Sequence, residues 1–442
     1  MKPLAIDLFC GAGGFSEGIL QAGFHIVFSS DINEQVEKTY MNRHEQLGLI
    51  QDYNTYFSRA DIRDLSGEFI LDKISKLQVI KGRKFDIDAI FGGPPCQGFS
   101  RAGKRQKDDP RNMLFKEYIR VVNEIKPKYV VMENVEGFMD TKLPEFIGVL
   151  GDKYEKDEVV PNILISEFDK IGYNTLEPKL LDSSDYGVPQ RRKRAIFIAY
   201  RKGLTAPTYP EPTVEEGSKI TVLDAIGDLI INPSIRKKVN SQYTKYQLDS
   251  INGRTLTIEG ETIKYDKTIR NHELSKHAAY IEERFALYKE GESTQQLRKR
   301  IMAEGINLEG KNKLIELIYK SLDEQYTLAE IKSNFLNAKV DESWIELLLT
   351  RKNNRTRLAK DEIASTIVTL PDDYISPFEN RVFSVREMAR LQSFDDSFVF
   401  LGKRTTGGDR RKVEVPQYTQ VGNAVPPLLA RAIAIEIRNV LI

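Results

Sequence analysis

Cys96 stands in Asp88-Ala-Ile-Phe-Gly-Gly-Pro-Pro-Cys-Gln-Gly-Phe-Ser100, where an apolar run meets two glycines and two prolines. A lone cysteine is usually a small buried hydrophobe. Here Pro94 and Pro95 stiffen the approach and Gly98 leaves room opposite, so conformational freedom is given up to place one thiol. The thiolate is the nucleophilic form, with an ordinary pKa of about 8.5, and a positive neighbourhood favours it. Arg101, Lys104, Arg105 and Lys107 follow at once. Glu133 ends a second apolar run, Tyr129-Val-Val-Met132, and is suited to proton transfer in a buried site. A third segment, Asp7-Leu-Phe-Cys-Gly-Ala-Gly-Gly14, supplies a glycine turn that lets backbone approach a ligand closely. A dinucleotide fingerprint needs a further glycine where Ser16 stands, so NAD is disfavoured. The turn suits a nucleoside cofactor without a pyrophosphate, such as S-adenosylmethionine. Asp31, about 20 residues on, is placed for ribose hydroxyls. Asp61 in Ala60-Asp-Ile62 is placed for an adenine amino group.

These residues need elements to hold them. Apolar runs predict strands at Leu4–Phe9, Ile26–Ser29, Ile87–Phe91, Tyr129–Glu133 and Ala195–Ala199. Amphipathic stretches predict helices at about Gly14–Ala22, Asn33–His44 and Asn112–Ile125. The alternation reads as an α/β fold with a mostly parallel sheet, whose ligands sit at the carboxyl ends of the strands. Pro207, Pro210 and Pro212 then mark an exit, residues 273–349 turn helical, and α/β character returns near Ile363. Gln420–Ile442 reads as a turn followed by a helix that comes back to finish the first domain. The expected division is a catalytic domain of residues 1–204 and 360–442, and a smaller variable domain of residues 205–359 with a helical insertion.

Composition excludes several classes. The 442 residues carry 65 Lys+Arg and 64 Asp+Glu, a net charge of +1. No run approaches the roughly 18 apolar residues of a membrane span. Two cysteines rule out a disulfide scaffold and point to a reducing cytosol. With four histidines they give no metal-ligand spacing, so no metal is expected. The near-neutral total hides segregation: residues 101–107, 190–194, 236–238, 351–360 and 403–412 together carry +20, leaving −19 on the rest. Positive charge is therefore expected to converge on one cleft, as a nucleic-acid partner requires.

The segment Pro-Pro-Cys-Gln-Gly-Phe-Ser resembles the catalytic loop of DNA cytosine-5 methyltransferases of the bacterial modification type. Five more blocks agree in the family's order. They are Asp7–Gly14, Met132-Glu-Asn-Val135, Gln190-Arg-Arg-Lys-Arg194, Arg386-Glu-Met-Ala-Arg-Leu-Gln-Ser-Phe394 and Gln420-Val-Gly-Asn-Ala-Val-Pro-Pro427. They cover roughly residues 1–200 and 360–442. The resemblance implies a Rossmann-like S-adenosylmethionine-dependent methyltransferase domain plus a target-recognition domain. It implies that Cys96 adds to C6 of cytosine, making C5 able to attack the sulfonium methyl. Glu133 would hold or protonate N3, and Arg192 and Arg194 would contact the base carbonyl, Glu133 or a nearby phosphate. The cofactor S-adenosylmethionine, leaving as S-adenosylhomocysteine, would lie against Phe9, Gly11, Gly13, Gly14, Asp31, Ile32, Asp61, Ile62, Pro95, Leu114, Asn423, Ala424 and Val425. No side chain presents itself to remove the C5 proton, and water is a plausible base.

A target atom inside a duplex must be flipped out to react. Residues from Gly98 to about Arg111, polar and basic with little apolar content, read as a loop that closes over DNA. Ser100, Arg101, Lys104 and Arg105 are its expected DNA contacts. Arg236, Lys237, Arg351, Lys352 and Arg355 are the expected contacts in the recognition domain, more for phosphate than for bases. Asn271-His272 reads as a turn rather than a catalytic histidine. Double-stranded DNA is the expected partner, with no membrane, a monomeric state and a cytoplasmic location; the protein is either paired with a restriction endonuclease acting on the same site or solitary. Two other readings stand beside this one: the same chemistry on tRNA, disfavoured by the long variable segment, and a non-catalytic DNA-binding relic, disfavoured by intact Cys96, Glu133, Arg192 and Arg194.

Overall fold

The run Ala195–Ala199 falls in an antiparallel strand, and the other four apolar runs supply four of the five parallel strands in the computed structural model, which describes residues 2–95, 113–263, 268–406, 410 and 414–441. The five are β1 (Leu4–Leu8), β2 (His25–Asp31), β3 (Tyr56–Arg59), β4 (Ala89–Gly92) and β5 (Tyr129–Val135). Past a small hairpin, β6 (Phe146–Ile147) and β7 (Lys153–Tyr154), come β8 (Tyr173–Thr175), β9 (Lys179–Asp182) and β10 (Lys193–Arg201). The main sheet runs β3-β2-β1-β4-β5-β10-β8, with β9 also on β10. β10 is antiparallel to β5, β8 and β9. The chain reverses its direction of strand addition between β1 and β4, which opens a crevice at their carboxyl ends. Leu8 pairs with Gly92, and Gly92 with Met132, so the loops after β1, β4 and β5 leave the sheet level with one another.

Helices cover both faces. They are α1 (Gly14–Gln21), α2 (Glu34–Gln46), α3 (Gly67–Lys76), α4 (Leu114–Ile125) and α5 (Val160–Lys170). α2 starts where Asn33 caps it by accepting from the amides of Gln35 and Val36, a device worth about 1 kcal/mol. On one face the core is built from α3, α4 and α5, with Ile70, Ile74, Tyr118, Ile119, Val122 and Leu164 against Ile6, Ile90 and Val130. On the other, Phe15 and Ile19 of α1 pack with Leu429, Ile433 and Ile437 of α16 (Pro427–Asn439).

The remaining helices are α6 (Val222–Ile226), α7 (Pro233–Val239), α8 (Lys245–Asn252), α9 (Ala279–Phe285), α10 (Thr294–Glu304), α11 (Asn312–Ser321), α12 (Leu328–Leu336) and α13 (Glu342–Leu349). The short pair β11 (Thr356–Arg357) and β12 (Tyr374–Ile375) leads to α14 (Val385–Leu391), α15 (Gln417–Asn423) and α16 (Pro427–Asn439). The segment Gln420–Ile442 therefore begins in the last turn of α15, not in a turn. α16 is tied back to the first helix by the Arg438 guanidinium, which donates to the Ala22 carbonyl at 3.1 Å.

Packing divides the stretch 205–359, which the sequence treats as one unit. Val222, Ala225, Ile226, Leu229 and Tyr246 share a core with Leu358, Ile367, Met388, Phe394 and Val421, and with Ala12 of the glycine turn. α9–α13 form a separate core around Leu297, Ile301, Leu314, Ile318, Phe335 and Leu348, joined from outside by Ile375 and Val382. The reason is local: α6 and α8 put their apolar faces on α14, whereas the helical segment is apolar enough to bury its own.

Candidate active site

Phe9 and Gly11 leave β1 in left-handed backbone, φ 55° and 54°, and Gly13 follows at 102°. Phe9 therefore ends the strand one residue earlier than the apolar run suggests. Only glycine adopts such angles freely, which is why the turn is glycine-rich. The amide of Gly11 donates to Asp31 at 3.1 Å, and Asp31 also accepts from Asn33 at 2.9 Å. A Cβ placed on Gly14 would come within 2.3 Å of the Val425 carbonyl, so the glycine turn and the 424–425 turn touch. Phe9–Gly14, Asp31–Ile32, Asp61–Ile62 and Pro95 thus all follow carboxyl ends of adjacent parallel strands.

The chemistry of this edge fits a nucleoside bearing a positive charge. Burial pushes the Asp31 carboxyl up, and Asp7 beneath it is pushed up to about 7 by burial, opposed by its bond from Ser16. Asp7 Oδ1 is buried with no hydrogen-bond partner among the described residues. Ile32 is 64% exposed, an apolar side chain open beside Asp31 and suited to a flat base. Asp61 caps the short turn after it and is gripped by Arg63, whose side-chain bond holds its carboxyl below the usual range. The Ile62 side chain is buried in the core and its carbonyl accepts from Arg120, so any contact it makes with a ligand falls to its backbone amide. Leu114 is half-buried at the start of α4, Asn423 is exposed, and Ala424 is buried. Cys10 is buried beside these acids, its thiol pushed up by burial and by Asp7 and Asp31, as befits packing rather than reactivity.

A second cluster lies at the ends of β4 and β5. Glu133 and Arg194 face each other across the β5–β10 pair, with Arg194 Nε 2.6 Å from Glu133 Oε1. Their side chains are only 11% and 12% exposed, so the ion pair is nearly dry and far stronger than a surface pair. A Cβ on Gly93 would sit 3.0 Å from Glu133 Oε2, which places the Gly-Pro-Pro segment directly over the carboxylate. Asn134 then donates through Nδ2 to the Pro94 carbonyl at 3.1 Å. Asn134 has no role in the sequence reading. Its position after a catalytic-type acid was the signal available, and the structure shows it anchoring the proline turn.

The two arginines use their side chains differently. Arg194 meets Glu133, whereas Arg192 is buried and spends both terminal nitrogens on backbone carbonyls, Nη1 on Ile367 at 2.9 Å and Nη2 on Gly422 at 2.8 Å. Burial and the neighbouring Arg194 push the Arg192 guanidinium well below its ordinary value, with Glu133 opposing. The terminal nitrogens of Arg192 therefore support the surrounding backbone, beside Glu133 and Arg194. Gln190–Arg194 is not a solvated basic turn, because Gln190 and Arg192 are buried.

Cys96, Ser100, Arg101, Lys104 and Arg105 lie outside the described residues. Of the other expected DNA contacts, Arg236 and Lys237 are exposed on α7, and Arg351 is 87% exposed beside Glu346. Lys352 and Arg355 are not free. Lys352 is salt-bridged to Asp372 and Asp373. Arg355 is buried over the Phe285 ring at 5.3 Å and donates to the Asp372 carbonyl at 2.9 Å. Asn271 and His272 are structural, as expected: Asn271 pairs with the backbone of Phe400, and His272 bridges Ser384 and the Leu229 carbonyl. Among the described residues there is no cluster of three metal-ligating side chains, and no helix is long and apolar enough to cross a membrane.

A doubly wound sheet with an acid-lined glycine turn beside a Glu–Arg pocket defines a nucleoside-dependent α/β enzyme. The comparisons narrow it. The family model of C-5 cytosine-specific DNA methylases matches residues 4–439, and the chain belongs to that family. The type II methyltransferase M.DdeI of Desulfomicrobium norvegicum is 31% identical over 434 residues, covering 97% of this chain and 87% of its own. M1.HphI of Haemophilus parahaemolyticus, another type II methyltransferase, is 32% identical over 435 residues, covering 97% and 85%. In fold, the chain is similar to a crystal structure assigned as a DNA modification methyltransferase encoded within an E. coli prophage. That match has a TM-score of 0.63 and 22% identity and covers 100% of this chain and 99% of the other.

Proposed function

We propose that the protein transfers a methyl group from S-adenosylmethionine to C5 of a cytosine within a specific duplex DNA sequence. The observation that carries the site assignment is the dry Glu133–Arg194 pair lying under the Gly93-Pro94 segment that leads to Cys96. The base is flipped into this pocket. The Cys96 thiolate adds to C6, and Glu133 holds N3 while charge is pushed into the ring. Arg194 fixes Glu133 and is the arginine placed to reach the base carbonyl. C5 then takes the methyl group, S-adenosylhomocysteine leaves, water removes the C5 proton, and the C6–S bond breaks to return the thiolate. Bound S-adenosylmethionine supplies an electrophilic methyl. This chain's part is to receive its ribose at Asp31, its adenine at Ile32 and Asp61, and its remainder on Phe9–Gly14, Pro95, Leu114 and the turn at Asn423–Val425.

Residues 205–359 supply DNA reading in this proposal, with Arg236 and Lys237 on phosphates; the loop from Gly98 to about Arg111, expected to close over DNA, lies outside the described residues. The protein works as a monomer in the cytoplasm, as the modification partner of a restriction endonuclease or alone. Covalent trapping tests the chemistry. On DNA containing 5-fluorocytosine with S-adenosylmethionine, the fluorine blocks the last elimination, so a stable adduct is expected for wild type and none for Cys96→Ser. An adduct on tRNA, and none on any DNA, would overturn the substrate assignment. Mapping methylated cytosines in the DNA of an expressing host gives the sequence read.

A further inference from the structure

Gln190, Arg192 and Arg194 lie on one face of an extended segment, and Arg191 and Lys193 on the other, which are exposed. This is the two-residue period of extended backbone, and it makes the motif two-sided. Arg194 carries the inner face to Glu133. Gln190 and Arg192 carry it to three distant stretches of chain.

Gln190 is closed to solvent. Its Nε2 donates to the Leu391 carbonyl at 2.8 Å and to Gln392 Oε1 at 2.6 Å, and its Oε1 accepts from the Ile367 amide at 2.9 Å. Gln392 passes the tie on, donating to the Val421 carbonyl at 2.7 Å. Arg192 closes the ring by holding the Ile367 and Gly422 carbonyls together. The backbone joins the same way. The Arg191 amide donates to Ala364 at 2.8 Å, the Ala364 amide donates to Pro189 at 3.1 Å, and the Thr366 hydroxyl donates to the Arg191 carbonyl at 2.7 Å.

The three ends of this ring differ in kind. One is the strand that presents Arg194 to Glu133. One is the stretch 364–367, by which the chain returns from the α9–α13 unit. The third is the 421–425 turn, which packs on Gly14. We propose that Gln190 is a positioning residue for methyl transfer. Through Gln392 and Arg192 it latches the returning chain to the base pocket and to the cofactor turn, so that the three hold one spacing. The inference rests on the reading of Glu133 and Arg194 as the base pocket. Displacing the latch shifts donor against acceptor without removing any group that touches either, and misplacement of about 1 Å costs roughly a hundredfold in rate.

The test is the single-turnover methylation rate, at saturating cofactor, on the duplex found by methylation mapping. Gln190→Met keeps the volume and removes all three bonds. It is expected to lower that rate at least about tenfold while duplex affinity stays within about threefold of wild type. Combined with Arg194→Lys, the loss is expected to fall short of the product of the two single losses by about fivefold or more, because both act on one geometry. A purely structural glutamine would give independent losses that multiply. An unchanged rate, or multiplying losses, overturns the proposal. If the methionine variant does not fold, Gln392→Met carries the same expectation, since it breaks the latch one link later and spares two of the Gln190 bonds. Glu133→Gln in the same assay separates the two readings: a wild-type rate there means that the base pocket is misassigned, whatever the latch does.

Discussion

Residues 236–238 and 351–360 look alike as sequence, three basic side chains in a row against five in ten with no acid between them. Folded, they have nothing in common. Arg236, Lys237 and Lys238 stand exposed on α7, with no ion pair among the described residues. The second stretch has been neutralised by acids that the sequence places elsewhere. Arg351 meets Glu346, Lys352 meets Asp372 and Asp373, and Lys360 meets Glu290 and Asp361. Arg357 is buried and donates to the carbonyls of Ser376 and Phe285 and to Asn380. The larger charge therefore works as mortar between α9–α13 and the rest. The smaller one keeps its field for a partner. A count of charge along a chain says how much was made, and the tertiary partners decide how much is left.

Three substitutions break or sharpen this contrast. Arg357→Ala strips three bonds from a buried junction and is expected to cost about 3 kcal/mol of stability, seen as a lowered unfolding midpoint in urea. Duplex affinity of the fraction that stays folded should not change. Replacing Arg236, Lys237 and Lys238 together with alanine should do the reverse. The slope of log affinity against log salt should shrink by up to about 2.7, at about 0.9 per phosphate contact, with the midpoint unmoved. A salt slope equal to wild type would remove α7 from the DNA surface. The smallest effect is expected from Lys352→Ala, about 1 kcal/mol or less. Burial alone would raise the Asp372 carboxyl, but Lys352 and Arg355 outweigh it and hold it below its ordinary value. A depressed carboxylate stabilises the fold above its unfolded pKa and loses that contribution as pH falls through the folded one. The acid limb of the stability profile, below about pH 4, should therefore be shallower in Lys352→Ala than in wild type.

Much of the architecture could be read from apolar periodicity. Leu4–Phe9, Ile87–Phe91 and Ala195–Ala199 all gave strands, because strands buried on both faces read as continuous apolar runs. β3, Tyr56-Phe-Ser-Arg59, has neither a run nor alternation, and β8 is three residues long, so neither announced itself. The active-site cluster was legible for a different reason. Glu133 and Gly93 meet through strand register, which the end of an apolar run anticipates. The backbone partners of Arg192, Ile367 and Gly422, were not legible because they lie far along the chain, and nothing within Gln190–Arg194 reports them. That the Ile62 side chain turns into the core, next to Asp61, was likewise not legible.

α16 closes over α1, which is made near the start of the chain, and α16 emerges only after nearly everything between. Until then Phe15 and Ile19 lack their cover, and Gly14 lacks the Val425 carbonyl that walls its turn. A chain still on the ribosome therefore has an unfinished donor site, however well its sheet has formed. Synthesis itself becomes a delay: each molecule begins to mark DNA only after its final helix has been threaded out and docked.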